Sequence, residues 1–353
     1  MHPKQFTWDK PATIQPNNFK FKSLSSWSFN TAVGCAHACR FCYVPEVSTT
    51  RGSIASKLAT YGVLDPDAEW GAYAGVRRWH EGAFLASLKR AENTPADRLN
   101  PDGNRAVMFC TTTDPYQVLR GELGEHHATM VSRALELIRD HSTLNVRILT
   151  RSPLAKKDFD LMRSFGSRLM FGMSLPTLND RLARIYEPNA PSPTQRLKCL
   201  RAAHEAGLNI YVAVAPTYPE CGAQDMIETL QAIKPLNPMT VFMEPVNIRA
   251  ENVKRIAEHA RKLGERINTN VFATPVEWRR YAMMALSDME IAAADVGMFD
   301  RLHLWPDASL GNKTAISQAV ADLAEFGLSV ETQTKWLNGW WNRISEWPKQ
   351  KNT

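Results

Sequence analysis

The sequence predicts an α/β fold, an incomplete TIM-like (β/α)6 barrel with a helix-rich C-terminal extension. Three observations predict it. From about residue 105 onward, short apolar runs alternate with amphipathic stretches at a regular interval, the pattern of repeated βα units. Candidate strands such as IYVAVAP (210–216) are continuously apolar, as strands of a parallel sheet covered on both faces should be. A cluster of three cysteines falls directly after the first candidate strand, at the carboxyl end where barrels of this kind place function.

Taken in order, SSWSFNTAV (25–33) reads as the first strand, and EGAFLASLKRAEN (81–93) as the first helix, inside an insertion spanning 48–104. RAVMFCTT (105–112) is the second strand, followed by the helix GEHHATMVSRALELIRDH (124–141). NVRILTRS (145–152) and the helix LAKKDFDLMRSF (154–165) make the third unit. SRLMFGMSL (167–175) leads to the helix SPTQRLKCLRAAHEAG (192–207), and LNIYVAVAP (208–216) to AQDMIETLQAIK (223–234). MTVFMEPV (239–246) with RAENVKRIAEHARKLGERI (249–267) completes six units. The predicted division is an N-terminal extension (1–24), a partial barrel (25–267) and a helix-rich region (268–353). The tryptophans of TKWLNGWWNRISEW, at near-helical spacing, read as packing residues rather than stacking platforms.

At 353 residues, with 44% hydrophobic and 22% charged, the composition is that of a folded globular chain. The opening MHPKQFTWDK has no signal-peptide apolar run, and no stretch approaches a membrane span, so the expectation is cytoplasmic with no membrane partner. A formal charge of +6 permits a nucleic-acid partner without demanding one, since the basic residues are dispersed. Six cysteines, three clustered and three scattered (Cys110, Cys199, Cys221), point to a metal or redox site rather than a disulfide framework. Oligomeric state is not readable from the sequence.

The cluster GCAHACRFCYVPE (34–46) sets Cys35, Cys39 and Cys42 in a C-x3-C-x2-C spacing without a fourth cysteine nearby. Three thiolates on one loop can each bind one iron of a [4Fe-4S] cube and leave the fourth iron without a protein ligand. Structural zinc sites instead pair C-x2-C units or add histidines at set spacing. His37 could complete a zinc site, but the turn is expected to point it outward. The open iron suits S-adenosylmethionine (SAM), whose amino and carboxylate groups can chelate it. A non-enzymatic zinc-binding protein is the competing reading.

CAHACRFCY resembles the cluster motif of the radical-SAM superfamily, and the wider pattern is similar to the spore photoproduct lyase group. The supporting stretches are TTTDPYQ (111–117), ILTRSPL (148–154), residues 172–219 and MEPVN (243–247). The resemblance implies that Cys35, Cys39 and Cys42 ligate the cube and that reductive cleavage of SAM yields a 5′-deoxyadenosyl radical. It implies an electron donor such as flavodoxin or ferredoxin, and a nucleic-acid base or lesion as substrate. Position by position, it implies that Phe41 lies against adenine. On the same resemblance the backbone of Thr112, Thr113 and Asp114 would meet the SAM amino group, Arg151 would bind the carboxylate, Ser174 would contact the ribose or carboxylate, and Tyr218 would face the substrate cavity. The lyase pattern has a hydrogen-donating cysteine two residues before the aspartate. Here Thr112 holds that place and Cys110 lies two further back, so Cys110 is either a donor one layer deeper or an inert buried cysteine. That departure leaves a small metabolite, or transfer of a SAM-derived fragment, as the second substrate reading.

Overall fold

In the computed structural model, residues 2–17, 24–46, 52–99, 104–311 and 329–343 are described. The apolar run WSF forms a strand and the next apolar run AVG another, but they enter different sheets. Strand β1 (Lys4–Pro11) and β2 (Ile14–Pro16) precede them; β3 is Trp27–Phe29 and β4 Ala32–Gly34. The single first strand expected over 25–33 is therefore split, and the polar pair between the halves explains why. Asn30 Oδ1 accepts the backbone N–H groups of Thr111 and Thr112 at 2.9 Å, and buried Thr31 bonds His127 Nε2 at 2.8 Å. These contacts turn the chain out of one sheet and into the other.

The insertion contributes α1 (Ser53–Thr60), β5 (Tyr73–Arg78) and α2 (Glu81–Glu92). β5 is the centre of a three-stranded sheet, parallel to β1 and antiparallel to β4. The N-terminal stretch and the insertion thus pair with each other, beside the cysteine loop.

The main sheet follows from the βα alternation. Its further elements are β6 (Ala106–Phe109), α3 (Gly121–His141), β7 (Asn145–Thr150), α4 (Phe159–Arg163) and β8 (Leu169–Ser174). Then come α5 (Asp180–Tyr186), α6 (Pro193–Glu205), β9 (Ile210–Thr217), α7 (Ala223–Ile233), β10 (Val241–Pro245) and α8 (Asn252–Lys262). The start of α6 is fixed by a capping box, Ser192 with Gln195, and by Pro193 in the first turn. Beyond it lie α9 (Pro275–Val296) and β11 (Leu302–Leu304).

Strands β3, β6, β7, β8, β9, β10 and β11 are neighbours in that order and all parallel, with β2 antiparallel on the β3 edge. The six parallel strands expected are joined by a seventh, β11, from the region read as helix-rich. Among the described residues the sheet does not close on itself; its edges are β2 and β11. Alternate side chains go to opposite faces. Val107 and Phe109 join the large cluster under the helices, whereas Met108 packs with Met170, Tyr211, Phe242 and Trp305 on the other side.

The C-terminal helix Val330–Asn342 buries Leu337 and Trp340 completely or nearly so, and the Trp341 indole donates to Pro306 O at 3.0 Å. These tryptophans pack, as expected. Trp347 lies outside the described residues. No described helix is long and apolar enough to cross a membrane.

Candidate functional site

The cysteine loop leaves β4 at Gly34, whose φ of +92° and approach to Tyr73 exclude a side chain: a Cβ there would sit 2.4 Å from Tyr73 O. Its backbone is then held almost residue by residue from other elements. Ala36 N–H donates to Gln117 Oε1 at 2.7 Å, and Asn189 Nδ2 donates to Ala36 O at 3.1 Å. Asn189 N–H reaches His37 O, and Arg40 N–H reaches Tyr186 O at 2.8 Å. From α8, Asn252 Nδ2 donates to Phe41 O at 3.2 Å and Arg255 to Cys42 O at 2.7 Å.

On this loop Cys35 and Cys39 are buried and Cys42 half-buried, all three as free thiols. Burial pushes each thiol up to about 12. Without a metal they are neutral, and it is the thiolate that ligates. Among the described residues no three His, Cys, Asp or Glu side chains converge as the ligands of a single ion do. A cube, by contrast, gives each sulfur its own iron.

His37 contradicts its expected outward direction. It is 2% exposed and points inward, its Nε2 3.2 Å from Asp114 Oδ2. The reason is Asp114, a buried carboxylate that also accepts Tyr116 N–H at 2.8 Å, the Thr150 hydroxyl at 2.7 Å and Arg151 N–H at 2.9 Å. Burial works to raise its pKa, but His37 and the hydrogen bonds outweigh it and hold the carboxyl at about 2. Asp114 therefore ties three segments together: the cysteine loop, the end of β6 and the end of β7.

The other predicted residues fall as follows. The Thr112 N–H is taken by Asn30, and the Thr113 hydroxyl donates to Gly34 O at 2.7 Å. A SAM ammonium, being a donor, would therefore turn to carbonyls here. Arg151 directly follows β7, with its guanidinium over the Phe41 ring, 5.4 Å from the centroid, and paired with Glu187. Ser174 is 1% exposed, and its hydroxyl donates to Ala215 O at 3.2 Å. Tyr218 is fully buried, stacked on Tyr186 at 3.9 Å and tilted against Phe41 at 5.9 Å. Its hydroxyl has no hydrogen-bond partner among the described residues. Cys110 packs toward α3: its Sγ is 3.8 Å from Thr31 Oγ1, which in turn bonds His127 of α3, and burial pushes its thiol up to about 12.

The structure thus brings Phe41, Arg151, Tyr218 and the three cysteines together, and adds residues with no sequence signal of their own. Glu187 balances Arg151 and Arg196, the latter at 2.6 Å. Gln117, Asn189, Asn252 and Arg255 hold the loop. Each acts through contacts between positions far apart in the sequence, which no spacing rule reports.

A sequence model described as the radical SAM superfamily matches residues 29–233, more than half of the chain. The chain belongs to the radical SAM superfamily. It is an enzyme, and the cofactors of this family are a [4Fe-4S] cluster and SAM. An uncharacterized protein of Acidianus two-tailed virus is 29% identical over 262 residues, covering 70% of this chain and 78% of that one. An uncharacterized protein of Methanocaldococcus jannaschii is 24% identical over 228 residues, covering 64% and 72%. Among solved structures, a spore photoproduct lyase variant superposes with a TM-score of 0.58 at 13% identity, covering 84% of this chain and 80% of that one. Another, with bound AdoMet and dinucleoside spore photoproduct, gives 0.54 at 16% identity over 79% and 76%. At such identities this radical SAM enzyme shares their fold; the likeness says nothing of its substrate.

Proposed function

We propose that Cys35, Cys39 and Cys42 ligate the cube on a sheet curved as an incomplete (β/α)6 barrel, and that SAM binds beside them. The observation that carries the reading is the loop itself: two buried free thiols and a half-buried third on a backbone pinned by five residues from elsewhere in the chain, with Arg151 over Phe41 beside them. When bound, the cluster and SAM supply reductive cleavage of the S–C5′ bond to a 5′-deoxyadenosyl radical.

The chain's own residues orient and shield. A guanidinium carries five N–H donors in a planar fork, and Glu187 takes the Nε–H of Arg151, so the rest of the fork suits the SAM carboxylate. The Phe41 ring, flanked by Arg151 and Tyr218, suits a flat base. Thr112, Thr113 and Asp114 frame the amino-group side, with Asp114 acting as a tie rather than a contact. Ser174 supports the floor. The Tyr218 hydroxyl, buried without a partner among the described residues, is the group best placed to meet a ligand. A flavodoxin or ferredoxin in the cytoplasm is the proposed electron source, and residues 48–104 the proposed cover of the mouth.

For the substrate, a nucleic-acid base or lesion is supported by the fold shared with spore photoproduct lyase and by the positive charge. A small molecule, transformed by the radical or by fragment transfer, is favoured by one observation: Cys110 is packed against Thr31 and His127, toward α3. DNA binding that weakens steeply with salt supports the first, and its absence at low salt the second.

The deciding experiment is anaerobic reconstitution with iron and sulfide, dithionite reduction and addition of SAM. Formation of 5′-deoxyadenosine, lost together with the cluster in Cys39→Ala while far-UV circular dichroism is unchanged, supports the assignment. Turnover retained in Cys39→Ala refutes it.

A further inference from the structure

Arg255 stands on α8, 213 positions after Cys42, yet its guanidinium is buried against the cysteine loop. One nitrogen donates to Cys42 O at 2.7 Å and Nε donates to Arg40 O at 3.2 Å. Its neighbour Asn252 holds Phe41 O, so three consecutive carbonyls of the loop, 40 to 42, are taken by two side chains of one helix.

The counter-ion comes from a third place. Asp67, in the insertion, forms an ion pair with Arg255 and also accepts Glu251 N–H at 3.1 Å at the start of α8. The insertion, α8 and the loop are thus linked by one carboxylate and one guanidinium. The cation touches the loop at two carbonyls, one of them that of Cys42, and the anion pairs with it from the insertion. A buried cation beside a cluster favours its more negative, reduced form, whereas a balancing anion tempers that preference.

We propose that Arg255 is a positioning residue that sets the electron affinity of the cluster this loop holds, with Asp67 as its opposing charge. The inference rests on Cys35, Cys39 and Cys42 being the ligands. It gives the insertion a part in the redox chemistry that does not depend on touching substrate.

The test is a potentiometric titration of the reconstituted full-length protein, followed by electron paramagnetic resonance of the reduced cluster. In Arg255→Met, the oxidised-to-reduced ratio at the wild-type midpoint rises about tenfold, equivalent to about 59 mV for one electron. In Asp67→Asn the ratio moves the opposite way. Arg255→Lys keeps the charge and stays near wild type in potential, while amide exchange of residues 35–42 quickens because the planar two-carbonyl grip is lost. A scaffold role predicts no such opposition of sign. Shifts in the same direction, or both variants within about threefold of wild type, overturn the inference. Should Arg255→Met take up no iron, Asp67→Asn decides: no shift there overturns it. A wild-type protein that binds no cluster overturns the ligand assignment itself, which is a distinct result.

Discussion

The guanidinium of Arg151 is bound by Glu187, a carboxylate buried to the last atom, whose second oxygen holds Arg196 at 2.6 Å. One anion thus balances two cations inside the protein. Glu187→Gln leaves both arginines short of a partner, and breaking such a buried set costs about 3–5 kcal/mol. The expected outcome is a clear fall in the urea midpoint together with weaker SAM binding. Arg151→Ala separates the two effects: SAM affinity falls about 10- to 100-fold, the loss of one charged hydrogen-bonding group, while iron content stays at the wild-type level. Equilibrium binding to the reconstituted protein checks both, and unchanged affinity removes Arg151 from the site.

Tyr218 gives a test free of stability effects. Its hydroxyl is buried without a described partner, so Tyr218→Phe removes an unsatisfied polar group and keeps the stack on Tyr186. Thermal stability is expected to hold or rise slightly. A fall in SAM cleavage or SAM affinity in that variant then reports on ligand contact alone; wild-type values for both mean the hydroxyl does not touch the cofactor.

Gly71 approaches the loop from the insertion with a φ of +92°, and a Cβ there would lie 2.2 Å from Ala38 Cβ. Ala38 itself has a positive φ of 57° and cannot easily yield. Gly71→Ala should therefore cost about 2 kcal/mol or more through backbone strain and overpacking, and lower the iron bound per chain. Gly264→Ala is the control, at φ +71° with nothing within 4 Å, so strain acts there without a clash. It should lose about 1 kcal/mol and keep its iron.

Acid sensitivity follows from two buried imidazoles. Burial pulls His127 and His303 down to about 4, against an ordinary 6.5. Below about 6.5 the unfolded chain gains protons that the folded chain refuses. Their contribution is thus complete above that pH and is lost as pH falls towards 4, on the order of 3 kcal/mol for each group. Urea midpoints at pH 7.5 and 4.5 measure it, and His303→Phe should flatten its share of the slope. An unchanged slope in that variant would mean His303 titrates normally in the fold.

The βα frame was legible because burial on both faces writes itself into continuous apolar strands, and amphipathic helices fall between them. The helix expected over 124–141 is part of α3, and the strand expected over 145–152 contains β7. What escaped has a physical cause in each case. β11 is three residues long with a histidine at its centre, too short for any period to show. β5 carries the apolar run YAGV ahead of two arginines and pairs with strands 69 positions before and about 40 before, so only the partners define it. His37 was misdirected because its partner, Asp114, is 77 positions away. The three cysteines stood out by type and spacing, and Arg151 only through the family resemblance. Glu187 and Arg255 did not, since a counter-ion is identified by what it faces.

The grip of α8 on the cysteine loop also dictates an order of assembly. Cys42 is made early, but Arg255 follows 213 residues later, and β4 must wait for β5 before its own sheet exists. During synthesis the three thiols therefore belong to an unclosed loop, long after their own residues have left the ribosome. Contacts of such sequence separation form late. On the proposed ligand assignment, iron and sulfide delivered before α8 is made would meet an open loop. On that assignment cofactor loading becomes a closing step of maturation, and a chain truncated before α8 should be synthesised yet remain colourless.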